Sequence, residues 1–427
     1  MSSSTSTRAR AYVLTIGDEL LLGEIVDTNR PYIAQRLLPL GVGVVGAETV
    51  GDDVEAIVAA FRRGMAAADI VFATGGLGPT DDDLTNEALA KTLGVPLMFH
   101  PEVLEKMAQR VKRPVESLPA SNRRQALLPE GAVILENDWG TAPGVYVNLA
   151  ARDGASEKHI FLMPGVPREM KGLLVERMLP LLRTRFNSGR AIVVHSVHAY
   201  GIAESIVGER CKPLMQAGMN PDVGTRVKAG VVTVRLVASG ADDAEAQRNL
   251  KPALEQVRVA LAEGYFGENE QTLEGAAMQA LLERKKTIAL AESCTGGLVA
   301  AALTEIAGSS AAVLEGAVVY SNDAKMRTCG VRAETLAVHG AVSAETVSEL
   351  AEGIRKRAGA SIGVGVTGIA GPGGGSEAKP VGLVYFGIAT DAGVKTVKKH
   401  FNGFDRAGVR ERATMFALDL IRRAAGE

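Results

Sequence analysis

Read for its apolar and polar positions, the chain shows two long stretches of alternating strand and helix with a shorter unit between them. "AYVLTIG" (Ala11–Gly17) is a continuous apolar run of strand length. "DTNRPYIAQRLLPLG" follows at helical spacing, with Asp27 placed to cap the helix and Gly41 to end it. "VGVVGAETVG", a helix over Asp53–Ala67, and "DIVFATGG" repeat the theme, and "HIFLMPG" with "VPREMKGLLVERMLPLL" carries it to about Leu182. This rhythm predicts a mostly parallel sheet covered by helices, with ligands taken beyond the carboxyl ends of its strands. The polar "RTRFNSGR" (Arg183–Arg190) suits a linker. "AIVVHSVHAYG", "GIAESIVGERCKPLMQ", "GVVTVRLVAS" and "DDAEAQRNLKPALEQVRVALAEG" then predict strand, helix, strand, helix. That module lacks clustered polar chemistry and reads as a spacer or dimer-forming unit. From about Gln271 the α/β pattern returns: strands in "KTIALAE", "AAVLEGAVVYS" and "ASIGVGVTG", a small-residue helix in "TGGLVAAALTEIAG", and a closing helix in "DRAGVRERATMFALDLIRRA". The expected fold class is α/β, with α/β domains over 1–183 and 268–427 joined by a small α+β domain over 190–265.

Composition narrows the partners. A net charge of −2, with acids and bases mixed, gives no long-range field for nucleic acid or an anionic membrane. No apolar run reaches the roughly 18–20 residues that span a bilayer. The polar start "MSSSTSTRAR" has no following apolar core and reads as a frayed tail. Cys211, Cys294 and Cys329 lie far apart, which disfavours a disulfide framework or a zinc site and fits a reducing cytoplasm.

Two constellations carry chemistry. In "AESCTGG" (Ala291–Gly297) a strand ends at Ser293, Cys294 and Thr295, and Gly296 and Gly297 open a helix. A hydroxyl needs a base to attack. His339 and His400 lie in neither glycine-rich nor acidic surroundings, so a Ser-His-Asp triad has little support. "YSNDAK" offers Tyr320 at a strand end and Lys325 one turn later. A desolvated lysine can serve as base, although spacing alone favours a solvated helix residue. "GVTGIAGPGGGSEAKPVG" (Gly365–Gly382) is a strand running into a glycine loop that allows close backbone approach to a ligand. In the N-terminal stretch, "TGGLGPTDDDLT" places Gly75, Gly76, Gly78 and Thr80 where backbone amides could wrap a phosphate. It then reads as a helix start bearing Asp81, Asp82 and Asp83. Asp81 and Asp82 could hold a divalent cation, with Asp18 and Glu19 as further ligands and Glu24 and Asn29 as weaker ones. Asp83 serves equally well as a helix-dipole partner. "MPGVPREM", with Gly165, frames the same crevice or is a structural turn.

Together "AESCTGG", "VVYSNDAK", "VTGIAGPGGG" with "KPVG", and "DRAGVRERA" resemble the nicotinamide mononucleotide deamidases of the CinA C-terminal family. "TIGDELLLGEIVDTN" and "TGGLGPTDDDLT" resemble the CinA N-terminal domain, related to molybdopterin-binding proteins, and the likeness covers nearly the whole chain. The resemblance implies Ser293 as nucleophile, Lys325 as its base, and Tyr320 and Thr367 as catalytic partners. It places Glu292, Thr295, Gly296, Gly297, Gly368 and Gly371 around the substrate, with donors near Gly296–Gly297 for an oxyanion, and Arg406 and Arg410 at the nucleotide phosphate. Cys294 then points into packing. For the N-terminal domain it implies hydrolysis of ADP-ribose to AMP and ribose 5-phosphate with magnesium, manganese or cobalt and potassium as a helper, bound through Asn29, Gly165 and the glycine turn. The deamidase needs no cofactor. The middle unit resembles a KH-like linker without a basic GxxG loop, so no nucleic-acid binding is expected. A homodimer is expected. Two rival readings are a molybdopterin-binding or adenylyl-transferring enzyme and a non-enzymatic partner of a recombinase.

Overall fold

The computed structural model describes residues 9–151, 156–186 and 191–426. The polar start before residue 9 and the expected linker from 187 to 190 lie outside the described residues. Two compact units divide the chain: one runs to residue 194 and takes in 237–250, and the other comprises 195–236 and 251 onward.

The first unit holds strands β1 (Arg10–Ile16), β2 (Gly43–Val50), β3 (Ile70–Thr74), β4 (Leu97–Phe99), β5 (Leu127–Pro129), β6 (Val133–Leu135), β7 (Gly144–Leu149) and β8 (Lys158–Met163). Six of these form one sheet in the order β2-β1-β3-β8-β7-β6. The β2, β1, β3 and β8 pairings are parallel, while β7 and β6 extend the sheet antiparallel. β4 and β5 make a separate antiparallel ribbon. Successive side chains of a strand point to opposite faces, so neighbours Val13 and Leu14 enter two different cores. Asp53 caps the helix Val54–Ala67 by accepting from the Ala56 amide. Asp27 accepts from the amides of Asn29 and Arg30, and Gly41, at φ 73°, ends the turn after that helix. Asp27 and Gly41 act as the sequence reading expects, while Asp53, read as the first helical residue, is the cap.

The middle of the chain forms a sheet ordered β10-β11-β9-β12 from β9 (Ala191–Tyr200), β10 (Asp222–Lys228), β11 (Val231–Gly240) and β12 (Tyr265–Glu268). The strand-helix-strand-helix reading therefore lacked β10 and β12.

The C-terminal sheet contains β13 (Ile288–Glu292), β14 (Val313–Val318), β15 (Ile362–Gly368), β16 (Leu383–Thr390) and β17 (Gly393–His400), in the order β14-β13-β15-β16-β17. β14, β13 and β15 are parallel; β16 and β17 run antiparallel. β13 is buried at every residue, as a strand covered on both faces should be, whereas β14 at the edge alternates between half-buried and exposed. Leu290 packs toward the closing helix Arg406–Gly426, and Ala289 and Ala291 pack toward the helix Ala344–Ala358. Among the described residues no helix is long and apolar enough to cross a membrane.

Candidate active site

The C-terminal site grows from the end of β13. Ser293 donates its amide to Val366 O at 2.9 Å, extending the β13–β15 ladder by one residue. The Gly296 amide then returns to Ser293 O at 3.1 Å and closes a four-residue turn. Gly296 and Gly297, at φ 63° and 96°, adopt the left-handed backbone that delivers the chain into the helix Leu298–Thr304.

Lys325 meets the serine from the side. Ser321 caps its helix, Asn322–Cys329, by accepting from the Ala324 amide at 3.1 Å. That helix can lie against Ala344–Ala358 because Gly353 has no side chain: a Cβ there would stand 1.8 Å from Cys329 O. Lys325 is 1% exposed. Its Nζ lies 3.2 Å from Ser293 Oγ, 2.8 Å from Val319 O and 3.1 Å from Tyr320 O. Burial holds this ammonium below the usual lysine range. As an ammonium it donates to all three oxygens; once deprotonated, it can keep its two N–H groups on the carbonyls and turn its lone pair to the serine hydroxyl. The surface-lysine alternative is thereby removed.

The neighbouring side chains divide into groups that face solvent and groups that serve the loop. Tyr320 is 60% exposed, and its hydroxyl accepts from Arg406 Nη2 at 2.9 Å. Arg406 Nη1 donates to Gly371 O at 2.8 Å, tying the glycine loop to the closing helix. A cleft of about 480 Å³ opens here, lined by Ala370, Pro372, Val381, Phe404, Arg406 and Arg410. Gly368 leaves room for β16, since a Cβ would come 2.7 Å from Val384. Cys294 is buried in the core, and burial pushes its thiol up to about 12, so it is an inert packing residue.

Four expectations change. Glu292 is not available to substrate: it is buried, and its carboxylate accepts from the amides of Gly297, Val299 and Ala300 at 3.0, 3.2 and 2.8 Å. The oxyanion donors expected at Gly296–Gly297 are engaged, one amide with Ser293 O and the other with Glu292. Thr295 is fully buried and its hydroxyl has no hydrogen-bond partner. Thr367 is also fully buried and donates its hydroxyl to Ala341 O at 2.7 Å, linking β15 to the segment before Ala344–Ala358.

The N-terminal crevice lies where β1, β3 and β8 end. Gly75 donates to Met163 O, and a Cβ on it would sit 2.0 Å from Ile16 O. Asn29 reaches across these strand ends, donating to Gly165 O at 2.7 Å and Thr74 Oγ1 at 3.1 Å, while its buried Oδ1 has no partner. Asp83 accepts from the Gly78 amide, the Thr80 amide and the Thr80 hydroxyl, so it folds the loop. Helix begins only at Thr85, which corrects the reading of Asp81–Asp83 as a helix start. A cleft of about 440 Å³ lies beside this loop, lined by residues including Gly76, Gly78, Asp81, Asn86 and Arg124.

The expected cation ligands do not fit a formed metal site. Asp81 is exposed and pairs with Arg124 at 3.0 Å, and Asp82 is exposed. Asp18 is clasped to Asp52, each backbone amide donating to the other's carboxylate at 2.9 and 3.1 Å. Among the described residues no group of three or more His, Cys, Asp or Glu side chains could hold a metal ion. Asp52 escaped the sequence reading. Its carboxyl is raised above the usual range by burial and by the neighbouring charges of Asp18, Glu19 and Asp82.

Three family models match in succession. "Probable molybdopterin binding domain" covers residues 12–184, "Damage-inducible protein CinA KH domain" covers 195–267, and "CinA C-terminal domain" covers 270–425. A CinA-like protein of Kosmotoga olearia is 40% identical over 417 residues, spanning 97% of this chain and 98% of that one. Among solved structures, a competence/damage inducible protein from Agrobacterium tumefaciens is 43% identical, covering 36% of this chain and 94% of that one at TM-score 0.35. The CinA protein of unknown function from Thermoplasma acidophilum is 32% identical, covering 43% of this chain and 99% of that one at TM-score 0.37.

Proposed function

The chain belongs to the CinA family, and from that membership and the Ser293–Lys325 pair we propose that its C-terminal region is an amidase acting on nicotinamide mononucleotide. Lys325 Nζ takes the hydroxyl proton as Ser293 Oγ forms a bond to the carboxamide carbon. The resulting ammonium returns that proton to the amide nitrogen as the C–N bond breaks, and ammonia leaves. Water then attacks the acyl-serine with Lys325 again as base, releasing nicotinate mononucleotide and free Ser293. Tyr320 and Arg406 stand at the exposed side of the site, where Arg406 can meet a phosphate by charge-assisted bonds.

The observation that carries this reading is the buried Lys325 Nζ, anchored by Val319 O and Tyr320 O and 3.2 Å from Ser293 Oγ. The test is ammonia release from nicotinamide mononucleotide by the full chain, with mass spectrometry of the quenched protein. An acyl adduct on Ser293 is expected; turnover with no adduct, undiminished in Ser293→Ala, would sink the reading.

For the N-terminal unit the reading is a nucleotide site for ADP-ribose at the glycine turn, supported by the close strand-end backbones and the unpartnered Asn29 oxygen. Among the described residues its acids do not come together as a metal site. Calorimetric titration with ADP-ribose, with and without magnesium, tests this site; no heat in either condition would remove it.

A further inference from the structure

Arg410 is one of two arginines expected at the substrate phosphate, and its guanidinium is engaged elsewhere. Nε donates to Cys294 O at 3.2 Å and Nη2 donates to Thr295 O at 2.9 Å. These carbonyls belong to the two middle residues of the turn that the Gly296 amide closes onto Ser293 O. In a trans peptide the N–H points opposite to the C=O of the same unit. Fixing both carbonyls therefore fixes the direction of the Thr295 and Gly296 amides, and the second of these closes the turn. The guanidinium is a rigid planar fork, so the two carbonyls are held in one mutual arrangement. Packing leaves little slack, since a Cβ on Gly296 would lie 3.2 Å from Arg410 Nη2. Arg406, one turn earlier on the same helix, bonds instead to Gly371 O and Tyr320 Oη.

Resting on the amidase reading, we propose that Arg410 is a positioning residue for the nucleophile rather than a phosphate ligand. It holds the Ser293–Gly296 turn in the form that keeps Ser293 Oγ within reach of Lys325 Nζ. Division of labour between the two arginines follows: Arg406 faces the open side of the site, and Arg410 grips the backbone that carries the serine.

The test compares Arg410→Ala and Arg410→Lys in the full chain on nicotinamide mononucleotide and on nicotinamide riboside, which lacks the phosphate. A fluorophosphonate probe reports the reactivity of Ser293 independently of either substrate. Arg410→Ala is expected to lower kcat about 10²-fold on both substrates by the same factor, with KM within about threefold, because misplacing a reacting group by about an ångström costs on that order. Probe labelling of Ser293 should slow comparably. Arg410→Lys, which can replace one of the two bonds, should recover part of the loss. A raised KM for the mononucleotide alone, with riboside turnover and labelling unchanged, would overturn the proposal in favour of a phosphate contact. Should the parent release no ammonia while Arg410→Ala still slows labelling of Ser293, the amidase reading fails and the positioning role stands. If Arg410→Ala melts early, Arg410→Lys carries the same comparison.

Discussion

The turn after β3 and the turn after β13 share a plan and differ in content. Each leaves a fully buried parallel strand, passes two glycines in the left-handed region and leads on toward a helix. After β13 the turn is gripped from both sides, by Arg410 on its carbonyls and by Glu292 on the amides that follow. Lys325 Nζ already stands at the serine hydroxyl. After β3 the backbone is folded by Asp83, but Asp81 and Asp82 face solvent and Asp18 is clasped to Asp52. A covalent nucleophile must be aligned before its substrate arrives. A turn that takes a ligand by its backbone needs only the right curvature beforehand.

The comparison breaks first at the serine. Ser293→Ala and Lys325→Met should each reduce ammonia release by about 10³-fold or more, as expected when a nucleophile or its base is removed. Cys294→Ala should leave most activity, and a chelator should change nothing. Loss confined to Cys294→Ala would exchange the two roles.

A second test reads the lysine itself. Because burial lowers its folded-state pKa, kcat/KM should rise with pH and level off below about 10.5, the ordinary lysine value. Between the lowered value and 10.5 the unfolded chain binds more protons, so stability also rises with pH across that window. Lys325→Met should flatten that slope in chemical denaturation. A slope unchanged in the variant would assign it to another group.

The support of the lysine helix gives a smaller, structural effect. Gly353→Ala drives a methyl into Cys329 O and should destabilise by about 1–3 kcal/mol, read by thermal melting. An unchanged melting temperature would mean the helix crossing yields easily. The acids of the β3 turn span a comparable effect and none at all. Asp83→Ala strips the acceptor from three donors and should cost about 1–3 kcal/mol. Asp81→Ala, which removes an exposed pair with Arg124, should leave melting unchanged. The reverse ranking would contradict the loop-folding role of Asp83.

What was legible in the sequence follows physical range. The strand end and glycine pair around Ser293 are local signals, but the roles of Ser293 and Lys325 came from the family resemblance, since spacing alone left the nucleophile open and the lysine solvated. The central strands are legible because burial on two faces leaves continuous apolar runs. β4, β5 and β6 are three residues each, too short for a period to show. The resemblance places Glu292 and Arg410 at the substrate, and nothing in the sequence corrects it, because residue type reveals charge but not direction. Their partners are backbone atoms, which carry no sequence signature. The acids at Asp81–Asp83 read as a helix start for the same reason: only the side-chain bonds of Asp83 show that the chain turns there before the helix begins at Thr85.

The carboxylate of Glu292 has one more consequence. Helix starts attract inorganic anions, because their free amides and dipole favour negative charge. Here the chain supplies that anion itself, from a residue five positions upstream of the first amide it meets. The amides of Gly297, Val299 and Ala300 are thus already satisfied and closed to sulfate or orthophosphate.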